Sequence, residues 1–183
     1  MALKATVHRA ELQVSDLDRH YYASHSLTLA QHPSETDARL MVRLCAFALF
    51  AQERLEFGRG LSAEDEPDLW LRSYTGEIEH WIELGQPDEA RLRRACGRAR
   101  RVSLVGYSGR AFQIWWEKNA AALARCSNLE VIELPAGAAD DLAALLERGM
   151  QLQCIVQEGE LQLMSDSATV SLTPVLLQAA TRG

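Results

Sequence analysis

The segment from residue 102 to residue 134 constrains the fold more than any other part of the chain. It predicts a strand at residues 102–107, a helix at 110–125 and a second strand at 129–134. This succession is typical of two parallel strands joined by a crossover helix. We therefore expect an α/β (α+β) protein with one central mixed β-sheet flanked by helices.

Hairpins are predicted on the N-terminal side of this segment, and a meander on its C-terminal side. Residues 3–14 and 20–30 predict a first hairpin, because apolar residues alternate with polar ones up to a Ser/Asp-containing turn. A second hairpin joins residues 69–73 to residues 78–84 around a turn that contains a glycine. The C-terminal meander is predicted at residues 150–156, 160–164 and 169–172.

A long helix is predicted between residues 34 and 57, with Ser34 as its cap. From Leu40 to Ala51 it is apolar on every side except at Arg43, which is typical of a buried helix. Arg39, Arg43 and Arg54 lie near one face of it. A poorly solvated arginine needs an acidic partner, and we expect the acids of the second hairpin to provide it. A structural ion pair and a site for recognising phosphate both remain open.

Composition limits the classes of function. The 183 residues include 25 acids and 19 bases, a net charge of −6 that opposes non-specific binding to nucleic acid or to an anionic membrane. This length is that of a single domain, here residues 1–183. No stretch predicts a signal peptide or a membrane span, so we expect a cytoplasmic protein with no membrane partner.

Two acidic residues on the second hairpin are the main candidates for chemistry. A turn centred on Thr75 places Asp68 opposite Ile82, give or take one residue, and hence close to Glu83. Two neighbouring carboxylates suit a shared Mg²⁺ ion. Glu83 lies in an apolar stretch, where a carboxylate needs a partner or a cation. Other acids of the region, residues 64–66 and Glu79, are also compatible with plain solvent exposure.

Several strings of the sequence resemble those of the YaeQ family, over roughly residues 1–173. They lie at residues 19–22, 27–30, 32–37, 53–57, 66–70, 81–88, 95–98 and 150–154. The resemblance implies a fold related to the PD-(D/E)XK nucleases, of the restriction-endonuclease type. The first hairpin and the meander would be additions to that fold. It also implies a magnesium site.

The motif of that superfamily can be carried over at two acidic positions. Pro67-Asp68 matches the Pro-Asp element, and Glu83 matches the acid of (D/E)-x-K. Gly85 stands in place of the lysine, and Gln86 follows it. The resemblance thus implies Asp68 and Glu83 as metal ligands and catalytic residues, with Gln86 as a group that orients water. The predicted auxiliary residues are Glu66, Glu79, Arg43 and Arg54.

Two function hypotheses follow from these residues. The first is a Mg²⁺-dependent phosphodiesterase or nuclease-like protein, weak or degenerate because arginine cannot replace lysine as a proton acceptor. The second is a non-catalytic binding module that contacts nucleic acid or a transcription-related protein. Arg91, Arg94 and Arg98 share one face of the next helix, where they either follow a phosphate backbone or form a solvated surface.

Overall fold

The computed structural model describes residues 4–59 and 63–181 as a mixed α+β protein. Residue 3, where the first predicted strand begins, lies outside the described residues. The strands are β1 Thr6–Asp16, β2 Tyr21–Gln31, β3 Leu55–Phe57, β4 Leu69–Arg72, β5 Ile78–Leu84, β6 Ala99–Gly106, β7 Leu129–Glu133, β8 Gly149–Gln157, β9 Glu160–Met164, β10 Thr169–Leu172 and β11 Val175–Gln178. The helices are α1 Asp37–Phe50, α2 Glu89–Arg98, α3 Arg110–Leu123 and α4 Ala138–Ala143.

The chain divides into two compact units with one mixed sheet each. Unit 1 comprises Met1–Ala51 and Gly137–Pro174, and unit 2 comprises Gln52–Ala136 and Val175–Gly183. The expectation of one central sheet is therefore wrong. The sequence did not indicate two sheets, because the first one forms only when strand β8 pairs with β1, more than a hundred residues earlier in the chain.

Unit 1 contains a five-stranded sheet in the order β10-β9-β8-β1-β2. Strands β1 and β2 pair antiparallel, β1 and β8 pair parallel, and β8, β9 and β10 form an antiparallel meander. The predicted N-terminal hairpin and C-terminal meander are both confirmed. Along β1 the buried Ala10, Leu12 and Val14 alternate with exposed residues, so only one face of the sheet is apolar.

Helix α1 is shorter than predicted and has a different cap. Its N-cap is Thr36, whose hydroxyl oxygen accepts a hydrogen bond from the Arg39 amide at 3.1 Å. The helix is buried from Leu40 to Ala48, as its uniformly apolar sequence predicts. It ends at Phe50, and the predicted continuation instead forms strand β3.

Unit 2 contains a six-stranded sheet in the order β11-β7-β6-β5-β4-β3. Strands β5, β6 and β7 are parallel, and α3 is the crossover between β6 and β7, as predicted. Strands β3, β4 and β5 are antiparallel, so the predicted second hairpin is also confirmed. The core of this unit is formed by Trp70, Trp81, Leu92, Val102, Leu104, Phe112, Leu123, Leu129 and Val131.

Candidate functional site

The hairpin of β4 and β5 places Asp68 beside Glu83. Leu69 faces Ile82 across the two strands, and one further step of this register brings the two acids opposite each other. The Asp68 amide donates to the Ile82 carbonyl at 3.1 Å, and the Leu84 amide donates to the Asp68 carboxylate at 2.9 Å. Asp68 and Glu83 are each only 4% exposed. The site therefore contains two buried carboxyl groups on adjacent strands.

Gly58, directly after strand β3, lets the chain approach this hairpin closely. The Gly58 amide donates to the Asp68 carbonyl at 3.0 Å. A Cβ atom on Gly58 would overlap the carbonyl of Pro67. The backbone of Pro67 and Asp68 is thus held between two neighbouring segments.

Glu83 accepts hydrogen bonds from two side chains. Its Oε1 atom accepts from Trp81 Nε1 at 2.9 Å and from Arg91 Nε at 2.8 Å. Arg91 Nη2 lies at the same distance from that oxygen. Arginine thus forms a charged pair with Glu83 through two of its nitrogens.

The pKa of Glu83 is nevertheless raised, from its ordinary 4.5 to about 7. Burial is the largest cause, and the nearby charge of Asp68 is the second. The charge of Arg91 and the two hydrogen bonds lower the pKa, but they do not offset the other effects. Glu83 is therefore only partly ionised at neutral pH, even with Arg91 beside it.

Arg91 also binds the loop that leads to Asp68. It donates from Nη2 to the Glu66 carbonyl at 2.8 Å and from Nη1 to the Glu64 carbonyl. With Glu83, these contacts engage all three nitrogens of the guanidinium group. Sequence reasoning treated this arginine as one of a surface set and missed its role. Its position on the helix that directly follows Glu83 and Gln86 was the sequence feature that could have indicated this role.

A cavity of about 260 Å³ lies beside these contacts, along helix α2. It is lined by residues 64–65, Trp81 and the arginines Arg91, Arg94 and Arg98. Arg98 stacks over the Trp81 ring, with 5.1 Å between its guanidinium carbon and the ring centroid. The predicted arginine face is therefore real, but two of its members are engaged with the protein itself.

The position of the missing lysine is occupied by a turn. Gly85 has a φ of +92°, a left-handed conformation that favours glycine. A side chain there would approach the ring of Tyr107, which lies at the end of the neighbouring strand. Gln86 Nε2 donates to the Ser108 hydroxyl at 2.5 Å. Residues 85 and 86 thus lie beside Tyr107 and Ser108, at the turn between β6 and α3.

The predicted auxiliary acids have partners outside the Asp68–Glu83 pair. Glu66 forms an ion pair with Arg59 at 3.1 Å, and the hydrogen bond from the Arg59 amide is the first cause that lowers the Glu66 pKa. Glu79 lies 3.5 Å from Arg54. Both acids therefore contribute to local ion pairs of unit 2.

The structure pairs Arg43 with Glu35, which is not one of the hairpin acids that we expected as its partner. It binds Glu35 in a bidentate pair, with Nη2 at 2.8 Å and Nε at 3.0 Å. Arg39 binds the same carboxylate at 2.8 Å. Glu35 precedes α1, so the buried charge is satisfied within the helix start. Arg54 follows the end of α1 and is not on its face, although it does bind a hairpin acid.

A further polar group lies on the opposite face of β5. His80 is hydrogen-bonded to the Ser103 hydroxyl at 2.7 Å, and Ser103 donates to Glu130 at 2.5 Å. Burial, then the charge of Arg101, lowers the pKa of His80 to about 3. These three hydrogen-bonded residues have the types found in a hydrolytic triad. His80 and Ser103 are buried, however, so a substrate could not reach them.

Among residues 4–59 and 63–181, no group of three or more His, Cys, Asp or Glu side chains converges on one point. A metal at the Asp68–Glu83 pair would therefore depend on two carboxylates and water. No helix in the described part of the chain is long and apolar enough to cross a membrane.

Comparison with known proteins identifies the family. The model of the family called YaeQ protein matches residues 1–174. The chain belongs to the YaeQ family. Proteins named "Uncharacterized protein YaeQ" from Salmonella typhi and Escherichia coli K12 are 48% and 47% identical to it. These matches cover 89% and 91% of this chain, and 90% and 92% of the YaeQ relatives.

Solved YaeQ structures have the same fold. The crystal structure of the YaeQ protein from Xanthomonas axonopodis pv. citri has a TM-score of 0.94 and 62% identity, and covers 96% of this chain and 99% of that one. The Pseudomonas syringae YaeQ structure has a TM-score of 0.91 and 36% identity, and covers 96% and 97%. The two-sheet architecture is thus that of the YaeQ family.

Proposed function

We propose that Asp68 and Glu83 bind a divalent hard cation, with Mg²⁺ as the best fit. The observation that carries this proposal is the pair itself: two carboxyl groups on adjacent strands, each 4% exposed, in which burial first and the Asp68 charge second raise the pKa of Glu83. A buried arrangement of like charges is costly unless a cation joins it. Arg91 supplies one positive charge, and the raised pKa indicates that more is needed.

The donors on the two side chains suit magnesium. Carboxylate oxygens are hard ligands, and Mg²⁺ is commonly held by one or two carboxylates while it keeps several waters. The Glu83 oxygen that binds Arg91 is already engaged, so a cation would share or displace that contact. Bound there, the ion would supply charge stabilisation and a more acidic water.

We propose that any phosphodiester hydrolysis at this pair is weak. The lysine of the related motif would stand at Gly85, where a turn leaves no side chain. Arg91 supplies charge but cannot accept a proton. Gln86 is hydrogen-bonded to Ser108 and has no basic group. Losing general acid–base help costs typically about 10²–10⁴-fold in rate.

The Arg91–Glu83 contact favours a second candidate, a non-catalytic binding module on the same fold. In this alternative the guanidinium group takes the place of a metal and fastens the loop carrying Asp68. The partner would be nucleic acid or a transcription-related protein. The net charge of −6 then requires a local basic contact surface, for which the arginines of α2 are the candidates.

Calorimetric titration with MgCl₂ tests the cation proposal. We expect binding by the wild type that Asp68→Ala and Glu83→Ala each weaken at least about tenfold. Glu77→Ala is the matched control, because Glu77 lies at the start of the same hairpin strand but is exposed and paired with Arg100. At pH 7 binding should release roughly half a proton, since Glu83 is then about half protonated.

Equal affinity for Mg²⁺ in the wild type and the double variant would refute the cation site. Cleavage assays on single- and double-stranded DNA and RNA with Mg²⁺ or Mn²⁺ test the hydrolysis. Fast cleavage that Glu83→Ala abolishes would contradict the prediction of weak activity. Cation binding without cleavage would support a site that holds a metal but is catalytically degenerate. The absence of both cation binding and cleavage would favour the binding module.

A further inference from the structure

Strand β2 forms an edge of the unit 1 sheet, and its outward backbone groups can be assigned. The amides of Arg9 and Leu17 donate to carbonyls of the β8 side, so odd-numbered residues of β1 face β8. Even-numbered residues of β1 therefore face β2. They pair with odd-numbered residues there, as Ala10 does with Leu27. The even-numbered residues of β2 must then direct their amides and carbonyls away from the sheet.

One contact confirms this assignment. The carbonyl of the even-numbered Ala30 accepts a hydrogen bond from Arg43 Nη2 at 2.9 Å, outside the β1–β2 ladder. The remaining outward groups belong to Tyr22, Ser24, Ser26 and Thr28. All four residues are exposed. Within the described residues, no hydrogen bond reaches their backbone atoms from outside the sheet.

This edge lacks the features that usually prevent strands from pairing. Natural edges are short, or carry lysine, other charges or proline. Strands β3, β10 and β11, the other sheet edges in the described residues, have at most four residues each. Strand β2 has eleven, and none of them is Lys, Arg, Asp, Glu or Pro. It is the sheet edge best suited to accept another strand.

We propose that this edge pairs with the β2 edge of a second copy of the chain, antiparallel about a two-fold axis at His25. The residues whose outward backbone groups remain open run from Tyr22 to Thr28, because Arg43 already binds the Ala30 carbonyl. His25 is the midpoint of this segment. Tyr22 then faces the partner's Thr28, and Ser24 faces the partner's Ser26. Each open residue meets another open residue, so the pairing completes roughly eight hydrogen bonds.

The side chains are compatible with this self-pairing. Tyr22 beside the partner's Thr28 forms an aromatic–β-branched pair, and two serines face each other in the next position. No formal charge opposes a like charge across the axis. The arrangement is isologous, as in most two-fold dimers, and joins two five-stranded sheets into one. It does not depend on cation binding in unit 2.

Sedimentation analysis from about 1 to 200 µM tests the proposal in the wild-type chain. We expect a monomer–dimer equilibrium that Ser24→Pro weakens at least about tenfold, because symmetry removes an outward amide on both strands. Ser24→Ala is the matched control, since it keeps the amide, and should dimerise like the wild type. A wild-type chain that stays monomeric throughout this range would overturn the proposal.

A charge exchange distinguishes edge pairing from misfolding. The double variant Ser24→Lys, Ser26→Lys places lysines opposite lysines, and the corresponding double Glu variant repels itself in the same way. Each should be monomeric with a wild-type circular dichroism spectrum, and an equimolar mixture should dimerise. Dimers that persist in either variant alone, or a mixture of folded chains that stays monomeric, would overturn the proposed register.

Discussion

Replacing Glu83 by glutamine should remove the contribution that this carboxyl group makes to the pH dependence of stability between about pH 4.5 and 7. In the folded protein this carboxyl group has a pKa of about 7, because burial and the Asp68 charge disfavour its ionised form. Glutamine has the same shape and keeps an oxygen that can accept from Trp81 and Arg91. It has no proton equilibrium in this range.

The sign of the effect follows from proton binding. The folded-state pKa lies above the ordinary 4.5, so the Glu83 carboxyl group binds more proton in the folded protein than in the unfolded chain between these two values. The stability that protonated Glu83 contributes is fully present below about pH 4.5 and is lost as the pH rises through about 7. Because one pKa unit corresponds to about 1.4 kcal/mol, the total loss is about 3 kcal/mol.

Urea unfolding at a series of pH values measures this contribution. The difference in free energy of unfolding between Glu83→Gln and wild type should shift by about 3 kcal/mol in favour of the variant from pH 4.5 to pH 8. Asp68→Asn should lower the pKa of Glu83 by about one to two pH units, because it removes the neighbouring negative charge. Two charges at roughly 6 Å interact by about 3 kcal/mol at an effective dielectric constant of about 20. Carbon NMR of the side-chain carboxyl group reports that pKa directly.

Glu77→Gln is the control, because it makes the same chemical change at an exposed position just before strand β5. Parallel stability curves for the wild type and Glu83→Gln between pH 4.5 and 8 would refute the reasoning. So would a Glu83 pKa that does not move in Asp68→Asn, since the Asp68 charge is the second cause of the shift.

One substitution in the interior of each unit tests its packing, measured by calorimetry or urea unfolding. In unit 2, Gly106→Ala should destabilise by about 1–3 kcal/mol, because a Cβ atom there would overlap the Phe112 ring. Gly97→Ala, in the open part of α2, should be neutral or stabilising, and equal effects at both positions would contradict the packing. In unit 1, Glu35→Gln should cost about 3–5 kcal/mol, because it removes the carboxylate charge that the buried Arg43 binds through two nitrogens. A loss below about 1 kcal/mol would show that Arg43 has adequate solvation.

The sequence was sufficient to predict the parts of the fold that depend on local pattern. The hairpin that carries Asp68 and Glu83 was predicted from alternation and a glycine turn, and the structure pairs its strands as expected. The crossover at α3 was also predicted, because a strand, a helix and a strand follow each other within a short span. Local periodicity determines such elements, so a single sequence is enough to find them.

Features that depend on distant contacts were not predicted. The end of α1 at Phe50 was missed, because strand β3 forms only by pairing with β4. The partner of Arg43 was misassigned, since an acid just before the helix was available at shorter range. The division into two sheets rests on β8 pairing with β1. Nothing in the local pattern of these segments indicates which distant strand they will meet.

Two differences from the nuclease motif that the sequence resembles concern the same electrostatic requirement. The buried acids Asp68 and Glu83 need positive charge nearby, and a lysine two residues after Glu83 would provide it. Gly85 provides none, whereas Arg91 reaches Glu83 from helix α2. A guanidinium group compensates charge as a lysine does, but it stays protonated and cannot exchange a proton with water. The arrangement therefore retains a cation beside the carboxylates while it lacks the group that would activate a nucleophile. Whether Mg²⁺ binds at this pair, by sharing or displacing the Arg91 contact at Glu83 Oε1, decides between the two proposed functions.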